Sequence, residues 1–368
     1  MEDASNFCPP SFMKSRKAVG LWLLAVALVI LAMITIGGLT RLTGSGLSIT
    51  EWKPIMGVMP PLSDAQWADA FAKYQRIPQY MLENRGMSPE AFKGIFWWEW
   101  THRLLGRLLG VVFFVPFIWF AATGAIKRIE WPRMLLLFAL GGLQGFIGWW
   151  MVTSGLETGV SVSQYRLAIH LGAALLLLVA ILWIALEYLR GGKSTGMSKR
   201  ASAFVVLIYV QMLLGALVAG LHAGLVYNTW PDMNENLFPE NPFFAAPWWI
   251  NFFEDPGLAQ FDHRIGAYLV AACAAWIYVQ GIKLSGYAKI SAKLVAVITV
   301  FQLFLGISTL LLMAPLWLSA LHQITAAALL CAAVWHAYEV RIHPNMSSPA
   351  SHARQRVARE GDPGVGNL

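Results

Sequence analysis

The chain has 368 residues, 57% of them hydrophobic and only 13% charged. Soluble domains carry about 25% charged residues, so this composition excludes an ordinary water-soluble fold and leaves one polytopic membrane domain. The formal net charge of +7 comes with no basic stripe interleaved with a nucleic-acid-binding motif, which argues against a nucleic-acid partner and places the positive charge at cytoplasmic loops.

Apolar runs of about 20 residues predict transmembrane helices, and eight follow one another along the chain. A tail at residues 1–17 precedes the first span, 18–39. It has two early acids and no Arg-rich amphipathic run, unlike a transit peptide, and the first span is too long for a cleaved signal. In the next loop, "SDAQWADAFAKY" places Gln66 three residues after Ser63, a capping-box pattern, and sets Trp67, Phe71 and Tyr74 on one face. This predicts a short amphipathic helix, either a lid on the outer membrane surface or a helix packed on the bundle. Ser88-Pro89-Glu90 reads as a helix start. The second span, 94–122, opens on "IFWWEWTHRLLGR", and spans at 132–153 and 166–189 complete an N-terminal half, 18–190. A linker at 191–200 leads to a C-terminal half, 201–340, with spans at 201–222, 262–283, 290–313 and 317–340, and a polar tail at 341–368.

Five basic segments, "MKSRK", "AIKRIEWPR", "YLRGGKSTGMSKR", "IKLSGYAK" and "RIHPN…ARQRVAR", fall on one side of these spans. That side is read as cytoplasmic, together with both termini. The loop from Gly224 to Asp262 has acids but no Lys or Arg and belongs outside. Cys8, Cys273 and Cys331 leave no pair in an outward loop, so no structural disulfide is expected.

The two halves are similar to one another. "GLSITEWKPIM" aligns with "GLVYNTWPDM", "QGFIG" at Gln144 with "QLFLG" at Gln302, "HRLLG" at His102 with "HRIG" at His263, and "IHLGAALLL" with "LHQITAAALL". Four matches in one order predict an internal repeat, with both halves oriented alike. The repeat singles out His102, His170, His263 and His322 among the eight histidines, two in each half and all near the outer ends of their spans. A lone membrane histidine is more often a hydrogen-bonded packing residue, but four at matched positions point to ligands. Zinc would ask for two further ligands per site. Haem iron needs only two axial ligands, and bis-His ligation inside a helical bundle suits it.

Gly106, Ala174, Ala267 and Ala326 stand four residues after these histidines, making room for a flat macrocycle or simply for close helix packing. Glu99 is one turn from His102 and i, i+4 from Arg103, whereas the C-terminal half has Gln260 at the matching place. One site therefore has an acid/base group and the other does not. Arg103, Arg107, Arg264 and Arg41 suit two roles, neutralising haem propionates or anchoring the interface.

"FWWEWTHRLLGR", with "TRLTGSGLSITEWKPIMGVMPPLS", "IHLGAA", "FDHRIGAY" and "LHQITAA", resembles the haem A synthases of the alphaproteobacterial and mitochondrial branch over nearly the whole chain. The resemblance implies eight spanning helices in two similar four-helix bundles, in the plasma membrane of a bacterium. It implies oxidation of a porphyrin ring methyl of haem O to a formyl group by successive hydroxylations, giving haem A. Residue by residue, it implies that His102 and His170 hold the substrate haem, His263 and His322 hold a haem b that relays electrons, and Glu99 is catalytic. An electron donor or acceptor, haem O synthase, cytochrome oxidase assembly proteins and a second copy of the chain are the partners it suggests. Some members carry a cysteine pair in an outer loop, which this chain lacks. A dihaem b-type electron-transfer protein and a haem carrier are the alternatives. The first usually places its haems toward opposite membrane faces, and the second needs neither an acid beside one ligand nor a permanent haem.

Overall fold

The computed structural model describes residues 10–157, 159–191 and 199–342. Its elements are α1 Pro10–Leu42, α2 Asp64–Tyr74, α3 Pro78–Leu82, α4 Pro89–Ala122, α5 Trp131–Glu157 and α6 Gln164–Arg190. They continue with α7 Lys199–Gly220, α8 Asn251–Glu254, α9 Pro256–Gly281, α10 Gly286–Leu311 and α11 Leu316–Ile342. Among the described residues β pairing is limited to an isolated bridge between Met233 and Asn236. An all-helical fold satisfies its own backbone within each segment, as lipid requires.

Seven helices, α1, α4, α5, α6, α7, α10 and α11, are long and apolar enough to cross a membrane. The eighth expected span corresponds to α9, which has 26 residues and so reaches about 39 Å at 1.5 Å per residue. Its first turns carry Gln260, Asp262, His263 and Arg264, and it is not among the seven apolar helices. α1 begins at Pro10, inside the segment predicted as a polar tail. Lys and Arg are good helix formers, and Arg16 there pairs with Glu130 at 3.0 Å. The rest of that tail with Cys8, most of the linker at 191–200 and all but the first two residues of the tail at 341–368 lie outside the described residues; Cys273 and Cys331 are free thiols.

Packing sorts the long helices into two rings of four. In the first, α1 packs on α4 and α6, and α5 packs on the same two. In the second, α7 packs on α9 and α11, and so does α10. In each ring the histidine-bearing helices, α4 with α6 and α9 with α11, stand diagonally and are spaced by their neighbours. The rings meet through α1, α6, α7 and α11. Buried Leu23, Val26, Ile30, Leu178, Ile181, Ile208 and Leu330 fill that seam. Accordingly 44% of the apolar stretch of α1 and of α11 is buried, against 6% for the stretch containing α5. Peripheral helices turn Val111, Val115, Trp119, Val297 and Phe304 outward, a surface that only lipid covers favourably. Across the seam, Gln323 on α11 donates to the carbonyl of Ile34 on α1 at 2.5 Å.

One end of the bundle is tied by ion pairs: Arg16–Glu130, Arg133–Glu187 and Arg190–Glu339. At the other end lies the helix expected from the capping box. Ser63 caps α2, with both reciprocal bonds to Gln66 present. Its apolar face is not turned to the membrane. Trp67 packs 4.9 Å from Phe96, Phe71 5.0 Å from Phe92 and Tyr74 5.3 Å from Phe92, so of the two predicted roles the structure takes packing on the bundle. α4 starts where Ser88 and Pro89 announce it, with the Ser88 hydroxyl accepting from Ala91 N, and it extends above the predicted span to receive α2.

Candidate functional site

Each of the four histidines leans its ring on a glycine of a neighbouring helix. A Cβ at Gly37 would stand 2.8 Å from His102 Cε1, at Gly148 3.0 Å from His170, at Gly215 3.1 Å from His263 and at Gly306 2.9 Å from His322. A Cβ at Gly37 or Gly306 would force the imidazole to shift, and one at Gly148 or Gly215 would press it closely, so these glycines permit the close approach. The four rings thus sit at equivalent depths in their rings of helices: α4 on α1, α6 on α5, α9 on α7 and α11 on α10.

Across the second ring, His263 and His322 face each other with centroids 6.4 Å apart and planes at 81°. Two imidazoles on opposite sides of one metal, each with a metal–nitrogen bond of about 2 Å, hold their ring centres roughly 6 Å apart, so this pair fits an axially ligated iron. Among the described residues no three His, Cys, Asp or Glu side chains converge as a metal cage. Pairs of imidazoles match a macrocycle that brings its own in-plane ligands. Buried polar atoms without partners include Nδ1 of His102 and His322, Nη1 of Arg107 and Nε of Arg264. Buried polar groups are normally satisfied, and these suit a ligand that brings a metal and carboxylates.

Glu99 is 3% exposed, and both of its oxygens are engaged. Oε1 accepts from Arg103 at 2.6 and 3.1 Å, and Oε2 accepts from Ser48 Oγ at 2.8 Å and from Ile49 N at 2.7 Å. Arg103 also donates to the carbonyls of Ile49 and Glu51. The pair clips the loop that follows α1 onto α4. In the second ring, Arg264 donates to Gln260 Oε1 and to the carbonyls of Tyr227, Thr229 and Asp232, while Gln260 donates to Ala223 O. The two halves use the same device, with a carboxylate in one and an amide in the other.

Arg103, Arg107 and Arg264 are held by the chain itself and do not stand wholly free for propionates. Arg103 and Arg264 are clips, and Arg107 holds the carbonyls of Lys53 and Pro54, with one buried donor of Arg107 and one of Arg264 left over. His336, outside the matched set, is a satisfied core histidine, with Nδ1 3.0 Å from Ser291 Oγ.

Sequence reasoning used Gln144 and Gln302 only as repeat markers and passed over Gln211. Each proves to touch a candidate ligand. Their amide nitrogens donate to the backbone carbonyls of His170, His322 and His263 at 2.7, 3.0 and 2.8 Å respectively. The signal was present: "QGFIG", "QMLLG" and "QLFLG" share a Gln four residues before the glycine that meets the histidine.

Residues 20–334 match the family described as cytochrome oxidase assembly protein. The chain is 48% identical over 329 residues to the haem A synthase of Parvibaculum lavamentivorans, covering 89% of this chain and 95% of that protein. It is 50% identical over 328 residues to that of Brucella ovis and 48% identical over 332 to that of Brucella anthropi, each match covering 88% of this chain and 92% of the relative. Matched along nearly its whole length, the chain belongs to the haem A synthase family of cytochrome oxidase assembly proteins.

Proposed function

We propose that this protein is a membrane-bound haem A synthase that converts the ring methyl of haem O to the formyl group of haem A. The observation that carries the reading is near-50% identity to haem A synthases over about nine-tenths of the chain. The imidazoles of His263 and His322, facing each other across the second ring, agree with it. His102 and His170 hold the substrate haem O, and His263 and His322 hold a haem b. When bound, haem b supplies one-electron relay chemistry. His263 and His322 fix its orientation from α9 and α11, and the seam of apolar side chains keeps water from the space between the rings.

Glu99 is the catalytic acid/base. Oxidising a methyl group moves protons as well as electrons, and Glu99 is one turn from His102. The clip it forms with Arg103 does not itself demand a charge, since Gln260 and Arg264 build its counterpart from a neutral amide. The spare donors of Arg107 and Arg264 meet propionates. α9 crosses the membrane as an eighth span, its polar first turns lining the second site, and the two rings are copies of one four-helix unit with the N- and C-termini cytoplasmic. The domain division is then 18–190 for the substrate half and 201–340 for the haem b half.

Pigment extraction from purified wild-type protein and four His→Ala variants tests this. Haem b with haem O or haem A is expected in the wild type. His263→Ala and His322→Ala should lose haem b, while His102→Ala and His170→Ala should keep it and fail in conversion. Haem b alone in the wild type, with no conversion of haem O, would turn the reading toward the dihaem cytochrome. If His263→Ala kept its haem b, the assignment of halves would be wrong.

A further inference from the structure

The four histidine seats are built alike except in one respect. On the helix facing each ring, the glycine that meets Cε1 is preceded four residues earlier by Gln144, Gln211 or Gln302 in three seats, and by Met33 in "MITIG" in the fourth. The amide nitrogen lies 3.2 Å from His170 Nδ1 and 3.0 Å from His263 Nδ1. At His322 it lies 3.4 Å from Nε2. Because each amide also holds the same histidine's backbone carbonyl, the contact fixes ring and main chain together. At His102 there is no such clamp. Its Nδ1 is buried without a partner, and Met33, whose Cε lies 3.6 Å from the place of a Cβ on Gly106, offers only a weak thioether acceptor.

Partners around a ligating histidine set its orientation and are felt in metal affinity. In these three seats the amide nitrogen beside the ring is the one held by the same histidine's carbonyl, so the amide cannot turn over without losing that bond, and the ring is set in place before a haem arrives. At His322 the amide meets Nε2 and leaves Nδ1 buried without a partner, so there the hold is chiefly on the main chain. Met33 can hold neither ring nor main chain in this way.

We propose that Gln144, Gln211 and Gln302 are positioning residues that hold His170, His263 and His322 as fixed axial ligands, and that His102, whose seat has Met33 at the glutamine's place in the chain, is the ligand built to be released. This rests on the assignment of the four histidines to two haem sites. It explains how one fold serves two needs. A resident haem has to stay, and its site has two clamped ligands. A substrate haem has to enter, present an open side next to Glu99 and leave as product, and its site has one clamped ligand and one unclamped.

The experiment uses the full-length purified protein with its bound haems and carbon monoxide as the probe of a displaceable ligand. Reduced wild-type protein carrying haem O should bind carbon monoxide at the substrate site, and Met33→Gln should weaken that binding by about 10-fold or more. Gln211→Leu should speed haem b loss about 10–100-fold. Gln211→Glu should shift the haem b midpoint potential downward, because a carboxylate accepts the ring N–H and makes the ligand more basic, a shift that a merely structural role would not give. Carbon monoxide binding unchanged in Met33→Gln, haem b retention unchanged in Gln211→Leu, or a haem b potential unchanged in Gln211→Glu, would overturn the inference. If His263→Ala loses haem b while Gln211→Leu behaves as wild type, only this inference fails. If His263→Ala keeps haem b, the site assignment fails beneath it.

Discussion

Glu99 and Gln260 hold the same place in the two halves and differ in one ionisable proton. In each half the residue accepts from an arginine that ties a neighbouring loop to its helix. Glu99→Gln should therefore keep the fold and the haem b, because amide and carboxylate have nearly the same shape. Conversion should fall roughly 10²–10⁴-fold, the usual scale for lost general acid–base help, and haem O or a partly oxidised intermediate should accumulate in pigment extracts. Gln260→Glu should leave the first oxidation almost unchanged. Near-normal haem A production by Glu99→Gln would reduce Glu99 to a partner for Arg103. The pairing of Glu99 with Arg103 was legible from i, i+4 spacing alone, whereas Ser48 and Ile49, 51 and 50 positions away, were not. No local pattern links a helix to the loop that folds back over it. The clips made by Arg103, Arg107 and Arg264 were not legible, since most of their acceptors are main-chain carbonyls that any sequence supplies.

At the scale of elements, helix starts and apolar runs were readable because their causes are local. Ser63, Ser88 and Pro89 act within one turn. The partner of the α2 apolar face was not readable, since three aromatics at helical spacing fit a membrane surface and the Phe92–Phe96 ridge equally well. The glycine seats were hidden for a similar reason: a glycine in a membrane helix signals close approach without saying what approaches. Gly215→Val puts a branched side chain where a Cβ alone would already stand 3.1 Å from His263 Cε1. The imidazole must swing away, and purified Gly215→Val should retain less than half of the wild-type haem b at normal helicity by circular dichroism. Full haem b retention would show that the seat tolerates bulk and that ring placement is set elsewhere.

For the whole molecule, composition pointed to the membrane class, while the sorting of the long helices into two rings of four came only from packing. The count of spans turns on α9, whose polar first turns lower its apolarity although its length suffices. A reporter after Gly46 and a tag at the C-terminus should lie on opposite membrane faces, the latter cytoplasmic, as labelling of intact and opened cells would show. Both on one face would remove the proposed arrangement of eight crossings.

The bond from Gln323 to Ile34 bears on how charge travels. Gln323 follows His322 directly in the chain, and Ile34 lies next to Met33 and one turn from Gly37, the seat of His102. On the proposed function, an electron leaving the C-terminal site has a route of covalent bonds broken by a single hydrogen bond before it reaches the wall of the substrate site. Tunnelling through bonds decays far more slowly than across gaps. The contact that fastens the two halves would thus also serve as their conductor, and no mobile carrier would be needed between them.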